Sequence, residues 1–212
     1  DILRALPAEA QIVLESSGNR ILLKSGRSRF TLQTLPAEDF PRLTANADLV
    51  SEIELPQKAL RELLLLVQYA MAQQDIRYYL NGLLLSVDAG ELRVVATDGH
   101  RLAFAKASLE KQAQRQEVVL PRKAVIELGR LLRDDETPIR ITLLGNQVRF
   151  NFSDIELVTK IVDGKFPDYG RVIPTTHKNQ IVVDRVDLLQ APQRAAILSN
   201  HKFRGVRWGR AE

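Results

Sequence analysis

Leu55-Pro-Gln-Lys-Ala-Leu-Arg-Glu-Leu-Leu64 returns, with few changes, as Leu120-Pro-Arg-Lys-Ala-Val-Ile-Glu-Leu-Gly-Arg-Leu-Leu132. The two prolines, Pro56 and Pro121, stand 65 positions apart. A longer period is written over this one: Gly18-Asn19, a strand-like stretch and Phe40-Pro41 recur as Gly145-Asn146, a strand-like stretch and Phe166-Pro167, with the glycines 127 positions apart. The longer offset is close to twice the shorter. A half-unit of roughly 60 to 65 residues is therefore duplicated into a domain, and the domain is duplicated in turn. Such periodicity builds an array or a closed ring with a long shared surface rather than one enzymatic pocket.

The chain opens on Asp1, and Asp1-Ile-Leu-Arg-Ala-Leu-Pro7 reads as the tail of a helix, while Glu212 falls inside a unit that has barely begun. This suggests a segment of a longer array: half of one domain over residues 1–50, a whole domain over 51–174 and the opening of a third over 175–212. Such a segment is not expected to close a ring. No cysteine occurs, so disulfides and thiolate metal sites are excluded. The longest apolar run, residues 63–67, is far too short to span a bilayer. The net charge of +4 is uninformative once divided: residues 1–50 and 51–174 are each balanced, and the whole excess lies in 175–212, with seven basic residues against three acidic. What matters is where the charges point.

Hairpin signals surround the helices. Residues 11–15 and 20–24 flank Ser16-Ser17-Gly18-Asn19, residues 83–87 and 92–96 flank Asp88-Ala89-Gly90, and residues 139–144 and 147–152 flank Gly145-Asn146. The spacing predicts a helix over 56–71 with Pro in its first turn and Leu60, Leu63, Leu64, Val67 and Met71 on one buried stripe. A matching helix over 121–133 puts Val125, Leu128, Leu131 and Leu132 on one side and Arg122, Lys123, Arg130 and Arg133 on the other. That basic side reads either as a solvated surface or as a face that follows phosphates without reading bases. Lys58 and Arg61 repeat the pattern on the first helix, with Glu62 beside them. A third helix is predicted over 184–198, with Pro192 expected to kink or split it.

Two stretches are more specific than scaffolding requires: Gln73-Gln-Asp-Ile-Arg-Tyr-Tyr-Leu-Asn-Gly82 and Ala96-Thr-Asp-Gly-His-Arg-Leu-Ala103. Asp98 and His100 would make an acid/base pair, but no Ser or Cys nucleophile motif accompanies them, and His177 and His201 share no metal-ligand spacing with His100. A turn or binding surface is the better reading of this Asp-Gly-His run. Neither a phosphate-binding Gly-x-x-x-x-Gly-Lys-Ser/Thr loop nor Gly-x-Gly-x-x-Gly occurs, and no cofactor is expected.

Arg77-Tyr-Tyr-Leu-Asn-Gly82, Thr97-Asp-Gly-His-Arg-Leu102, Val162-Asp-Gly-Lys-Phe-Pro-Asp-Tyr169, Arg194-Ala-Ala-Ile-Leu-Ser-Asn200 and Lys202-Phe-Arg-Gly-Val-Arg207, in this order, closely resemble the beta sliding clamps of bacterial DNA polymerase III. The resemblance implies an α+β DNA-clamp fold with helices inside and sheets outside, and a cytoplasmic, non-catalytic processivity factor that encircles duplex DNA as a head-to-tail homodimer. It implies a peptide-binding cleft for the replicative polymerase, the clamp loader and other DNA polymerases, made by Leu80, Thr97, Gly99, His100, Leu102, Pro167 and Val172. It places Gln74, Arg77, Tyr78, Tyr79, Arg122, Lys123 and Arg171 near DNA. The strand from Ser25 to Leu32, with Arg27, Arg29 and Leu32, resembles the edge that pairs with a neighbouring subunit. Core packing is the competing reading of Leu80, Leu102 and Val172, and buried spacing that of the two tyrosines. A repeat-built peptide-binding module that never encircles DNA is the alternative for the whole; a hydrolase built on Asp98 and His100 is a remote third.

Overall fold

The computed structural model describes residues 1–40, 49–176, 180–199, 206 and 209. The chain forms two compact units, Asp1–Phe166 and Pro167–Glu212. In the first, a short helix α1 (Ile2–Ala5) precedes a three-stranded antiparallel sheet of β1 (Val13–Ser17), β2 (Arg20–Ser25) and β3 (Ser28–Gln33). Both hairpins close with two residues, Gly18-Asn19 and Gly26-Arg27, and each glycine takes the positive φ that tight hairpin turns demand.

The duplicated phrase accounts for the rest of this unit. The first copy runs β4 (Leu49–Pro56), α2 (Gln57–Val67), β5 (Gly82–Asp88), β6 (Glu91–Thr97) and β7 (Leu102–Ser108). The second runs β8 (Gln116–Pro121), α3 (Arg122–Leu131), β9 (Pro138–Leu144), β10 (Gln147–Phe152) and β11 (Ile155–Lys160). Each copy gives its first strand to the other's sheet: the orders are β7-β6-β5-β8 and β11-β10-β9-β4. Alternate residues of all eight strands point at the helices, among them Ile53, Leu85, Val94, Ala105, Leu120, Ile141, Phe150 and Phe152, and join Leu60, Leu64, Val67, Val125 and Leu128 in one core. The opposite face of the β4-containing sheet carries Glu52, Glu54, Arg140 and Thr142 in cross-strand pairs.

The helices are shorter than their apolar period suggests. α2 ends at Val67 and passes into a 3-10 turn, Gln68–Ala70, while α3 ends at Leu131. Pro56 and Pro121 are not first-turn residues: each is both the last residue of a strand and the N-cap of the helix, with extended ψ. The strand therefore turns straight into a helix, and the first free N–H groups find partners in the other copy of the repeat. Gln57 N donates to Thr137 O at 2.9 Å, and Arg122 N to Asn81 O at 3.0 Å. The helix ends are tied crosswise too. Buried Gln57 donates to Thr137 Oγ1 and accepts from Arg133 N beyond the end of α3, while Arg122 Nη1 reaches Met71 O beyond the end of α2. Leu131 departs from the predicted apolar stripe: it is 39% exposed, the inward position at that turn being taken by Leu132.

In the second unit, α4 (Arg185–Ala196) is one helix with Pro192 inside it, so of the two expected effects of this proline, a kink or a split, the split does not occur. Asp184 caps it by accepting from Val186 N and Asp187 N. The helix lies exposed, so the carbonyl that loses its partner to Pro192 is open to water and the cost of one missing bond does not break the helix. His177, His201, Asn200 and the 202–205 and 207–208 parts of the last matching motif lie outside the described residues.

Candidate functional site

The two over-specified stretches meet. Between β6 and β7 the chain reverses over residues 98–101, and the reversal is closed from both sides. Thr97 Oγ1 donates to Arg101 O at 2.7 Å and accepts from Gly99 N at 3.0 Å, while Asp98 Oδ1 accepts from His100 N and Arg101 N. These bonds to its charged form hold the Asp98 carboxyl below the usual carboxylate range. The carboxylate is thus committed to the turn, and the His100 side chain stands exposed beside it. This is a shaped loop rather than an acid/base pair. Gly99 sits at φ +88, where a side chain would be strained, and a Cβ there would lie 3.0 Å from both Nη1 and Nη2 of Arg77.

Arg77 comes from the second stretch, the loop between the α2 end and β5. Asp75 and Asn81 lock this loop reciprocally: Asp75 N donates to Asn81 Oδ1, and Asn81 Nδ2 donates to Asp75 O, each at 2.8 Å. Asp75 then holds Arg77 through a two-pronged pair, Nε to Oδ1 at 3.0 Å and Nη2 to Oδ2 at 2.8 Å. The Arg77 side chain and backbone N–H together depress the Asp75 carboxyl to about 2, and the same pairing raises the guanidinium. Arg77 Nη2 also reaches Asp98 O at 3.4 Å. Tyr78 and Tyr79 pack edge to face, 5.9 Å between centroids, and Gly164 lies close against the Tyr78 ring.

Among the residues proposed for the cleft, Gly99 and His100 are exposed and Leu102 is half-buried, while Leu80 at 1% exposure and Thr97 at 9% are interior. Leu80 is buried beneath the 72–82 loop, and the Thr97 hydroxyl is bonded within the turn. Pro167 and Val172 are exposed in the second unit, as is Arg171, which pairs with Asp168 at 2.9 Å. Among the residues proposed for DNA, Gln74 and Tyr78 are exposed, Tyr79 is half-buried, and Arg77 is engaged by Asp75. Arg122 is half-buried on Met71 O, and Lys123 is exposed. Arg130 is not a free cation, because Glu127 pairs with it at 3.0 Å. Arg27 lies in the β2–β3 turn, and Arg29 and Leu32 lie on β3, an edge strand among the described residues.

Residue-by-residue reading gave no role to Asp75, Asn81 or Arg101. Asp75 and Asn81 shape the loop, and Arg101 Nη2 donates to Tyr69 O at 2.7 Å with its guanidinium 5.5 Å from the centre of the Tyr69 ring. Lys58, which the sequence already set on the outer side of the first helix, is exposed at the α2 position equivalent to Lys123 on α3, the 65-residue offset pairing the two. Cavities of about 380, 340 and 260 Å³ lie elsewhere on the unit and contain none of the candidate residues.

With this geometry in hand, the chain can be set against known proteins. Residues 54–168 match the model of the DNA polymerase III beta subunit central domain, and residues 1–44 that of its N-terminal domain. The beta sliding clamp of Salmonella typhimurium is 49% identical over 209 residues and that of Escherichia coli K12 47%, in each case over 98% of this chain and 56% of the relative. A crystal structure of the DNA polymerase sliding clamp from Pseudomonas aeruginosa superposes with a TM-score of 0.84 at 44% identity, over 96% of this chain and 55% of that one. One of the DNA polymerase III subunit beta from the same organism gives 0.87 at 44% identity, over 95% and 56%. The chain thus spans a little over half the length of these relatives. Two copies of a strand–helix–three-strand unit with exchanged first strands, matched in sequence and in fold, place the chain in the DNA polymerase III beta subunit family.

Proposed function

We propose that this chain supplies part of a sliding clamp: a processivity factor that surrounds duplex DNA without reading its sequence and tethers a polymerase to it. The observation that carries this reading is the repeat-related pair of exposed ammonium groups, Lys58 at the start of α2 and Lys123 at the start of α3. Two cations at equivalent points of two neighbouring helices suit the regular phosphate backbone and carry no base-reading chemistry. Gln74, Arg77, Tyr78, Tyr79, Arg122 and Arg171 are proposed to stand near DNA as well. Residues 1–50, 51–174 and 175–212 are proposed as portions of three successive clamp domains.

The turn at Gly99 and His100, with Leu102 beside it, is proposed as one wall of a cleft for short apolar peptides of the replicative polymerase, the clamp loader and other DNA polymerases. Pro167 and Val172 are likewise proposed for peptide binding. The β3 edge, with Arg29 and Leu32, and Arg27 in the turn before it are proposed as the surface for a second copy, since an unpaired strand edge accepts another strand. A non-encircling peptide-binding module remains the second reading, favoured by the exposed Leu65 and Leu66 on α2 and Tyr69 in the 3-10 turn that follows, which are apolar where a DNA-facing helix would be basic.

The deciding measurement is duplex affinity against salt for the full chain and its Lys58→Ala/Lys123→Ala variant. Each phosphate neutralised contributes about −0.9 to the slope of log affinity on log salt. The expected result is a slope shallower by up to about 1.8 in the double variant and equal affinity for unrelated sequences of one length. An unchanged slope would remove the DNA reading and leave the peptide module.

A further inference from the structure

The two loops of the candidate site are joined by one side chain. Arg77 is anchored on its own loop by Asp75 and lies against the facing turn at Gly99 and the Asp98 carbonyl. Asp75 cannot follow if Arg77 is drawn away, because Asn81 clamps its backbone on both sides. The Arg77 side chain is nonetheless 46% exposed, so an external anion can reach it. The edge it presents to Asp75, Nε with Nη2, is the fork that a phosphate prefers, so carboxylate and phosphate are mutually exclusive partners. Any phosphate that takes the fork also removes the group packed on Gly99, a residue at positive φ in a turn whose closing bonds run within residues 97–101 and make no tie to the 72–82 loop.

We propose that Arg77 is a positioning residue, a strap between the 72–82 loop and the 98–101 turn, through which DNA phosphate at the first loop weakens apolar-peptide binding at the second. The inference rests on the clamp reading above and deepens it: the two ligands would be coupled negatively within one unit, and linkage requires the effect to be equal in both directions.

The test uses the full chain, 15N-labelled, with a 12-base-pair duplex and a fluorescent heptapeptide ending in Leu-Phe. Without any ligand, Arg77→Lys and Asp75→Asn should move the same amides, those of Gly99, His100 and Arg101. If neither variant moves them, the strap does not exist. In the second arm, saturating duplex should weaken the peptide at least about fivefold in the parent chain, and saturating peptide should weaken duplex by the same factor. In Arg77→Lys, which keeps the charge but loses the fork, the ratio of peptide affinities with and without duplex should fall to about one, whatever the affinity of each ligand alone. Equal peptide affinity with and without duplex in the parent chain overturns the coupling. Absence of any peptide binding by the parent chain overturns the peptide reading itself, and the coupling with it, and is told apart by the binding isotherm alone.

Discussion

At the scale of single residues, the chemistry of the site is that of pre-set turns. Asp75 is the clearest case, because its folded-state carboxyl is depressed from 3.8 to about 2, chiefly by Arg77. A group whose pKa falls on folding adds stability that is fully present above its unfolded value and is lost as pH drops through the folded one. The stabilising effect of Asp75 should thus be intact above about 3.8 and disappear towards about 2. Chemical-shift titration of the Arg77 amide should follow that window, and in Asp75→Asn it should be flat there. Gly82 answers a different demand: a Cβ would stand 2.4 Å from Leu120 O and 2.9 Å from Val119 Cγ1, where β5 and β8 meet beside Pro121. Gly82→Ala should cost about 1–3 kcal/mol in denaturant unfolding, since backbone rather than a flexible side-chain tip must move. None of the turn geometry was visible as such in the sequence. The runs from Gln73 to Gly82 and from Ala96 to Ala103 stood out as over-specified, yet their mutual contact depends on a guanidinium reaching across from one loop to the other, and no periodicity encodes that.

At the scale of elements, the repeat was legible and its assembly was not. The hairpins at Gly18-Asn19, Ala89-Gly90 and Gly145-Asn146 and the buried stripe of α2 follow directly from turn chemistry and a 3.6-residue period. The helix limits came out long because apolar spacing continues through Met71 and Leu132, residues that are buried from extended or 3-10 backbone rather than from the helix. Glu127 was overlooked for a related reason: at its position on the helical wheel it lies outside the basic arc, but a Glu side chain three residues before Arg130 reaches it easily. Gln57 shows how the elements are tied. It is fully buried, and its amide meets both Thr137 Oγ1 and Arg133 N. Gln57→Ala would leave Arg133 N and the Thr137 hydroxyl to find new partners, and a loss of about 1–3 kcal/mol is expected. Lys58→Ala, one residue away and exposed, should fall within about 0.5 kcal/mol of the parent under the same urea titration.

At the scale of the molecule, neither copy of the repeat within residues 49–166 possesses a complete sheet. β4 is bonded to β9, and β8 to β5, so each copy's sheet is finished by the other. The two copies should therefore melt together. A single calorimetric transition, with equal calorimetric and van't Hoff enthalpies, is expected for 49–166, and residues 49–113 expressed alone should show no cooperative unfolding. Hydrogen exchange offers an independent check: amides of β5 and β9 should exchange at the same, global free energy. Two separable free energies would show that the halves are autonomous.

Because each half lends a strand and takes one back, residues 109–115, although Leu109 and Ala113 rest on the shared core, form a leash between partners that already hold one another. Cutting that leash should leave two polypeptides, neither folded by itself, that recognise each other and rebuild the unit when mixed. The arrangement has the form of a symmetric pair written into a single gene, and it explains why the Leu-Pro-x-Lys-Ala phrase had to be kept twice: each copy is the other's missing edge.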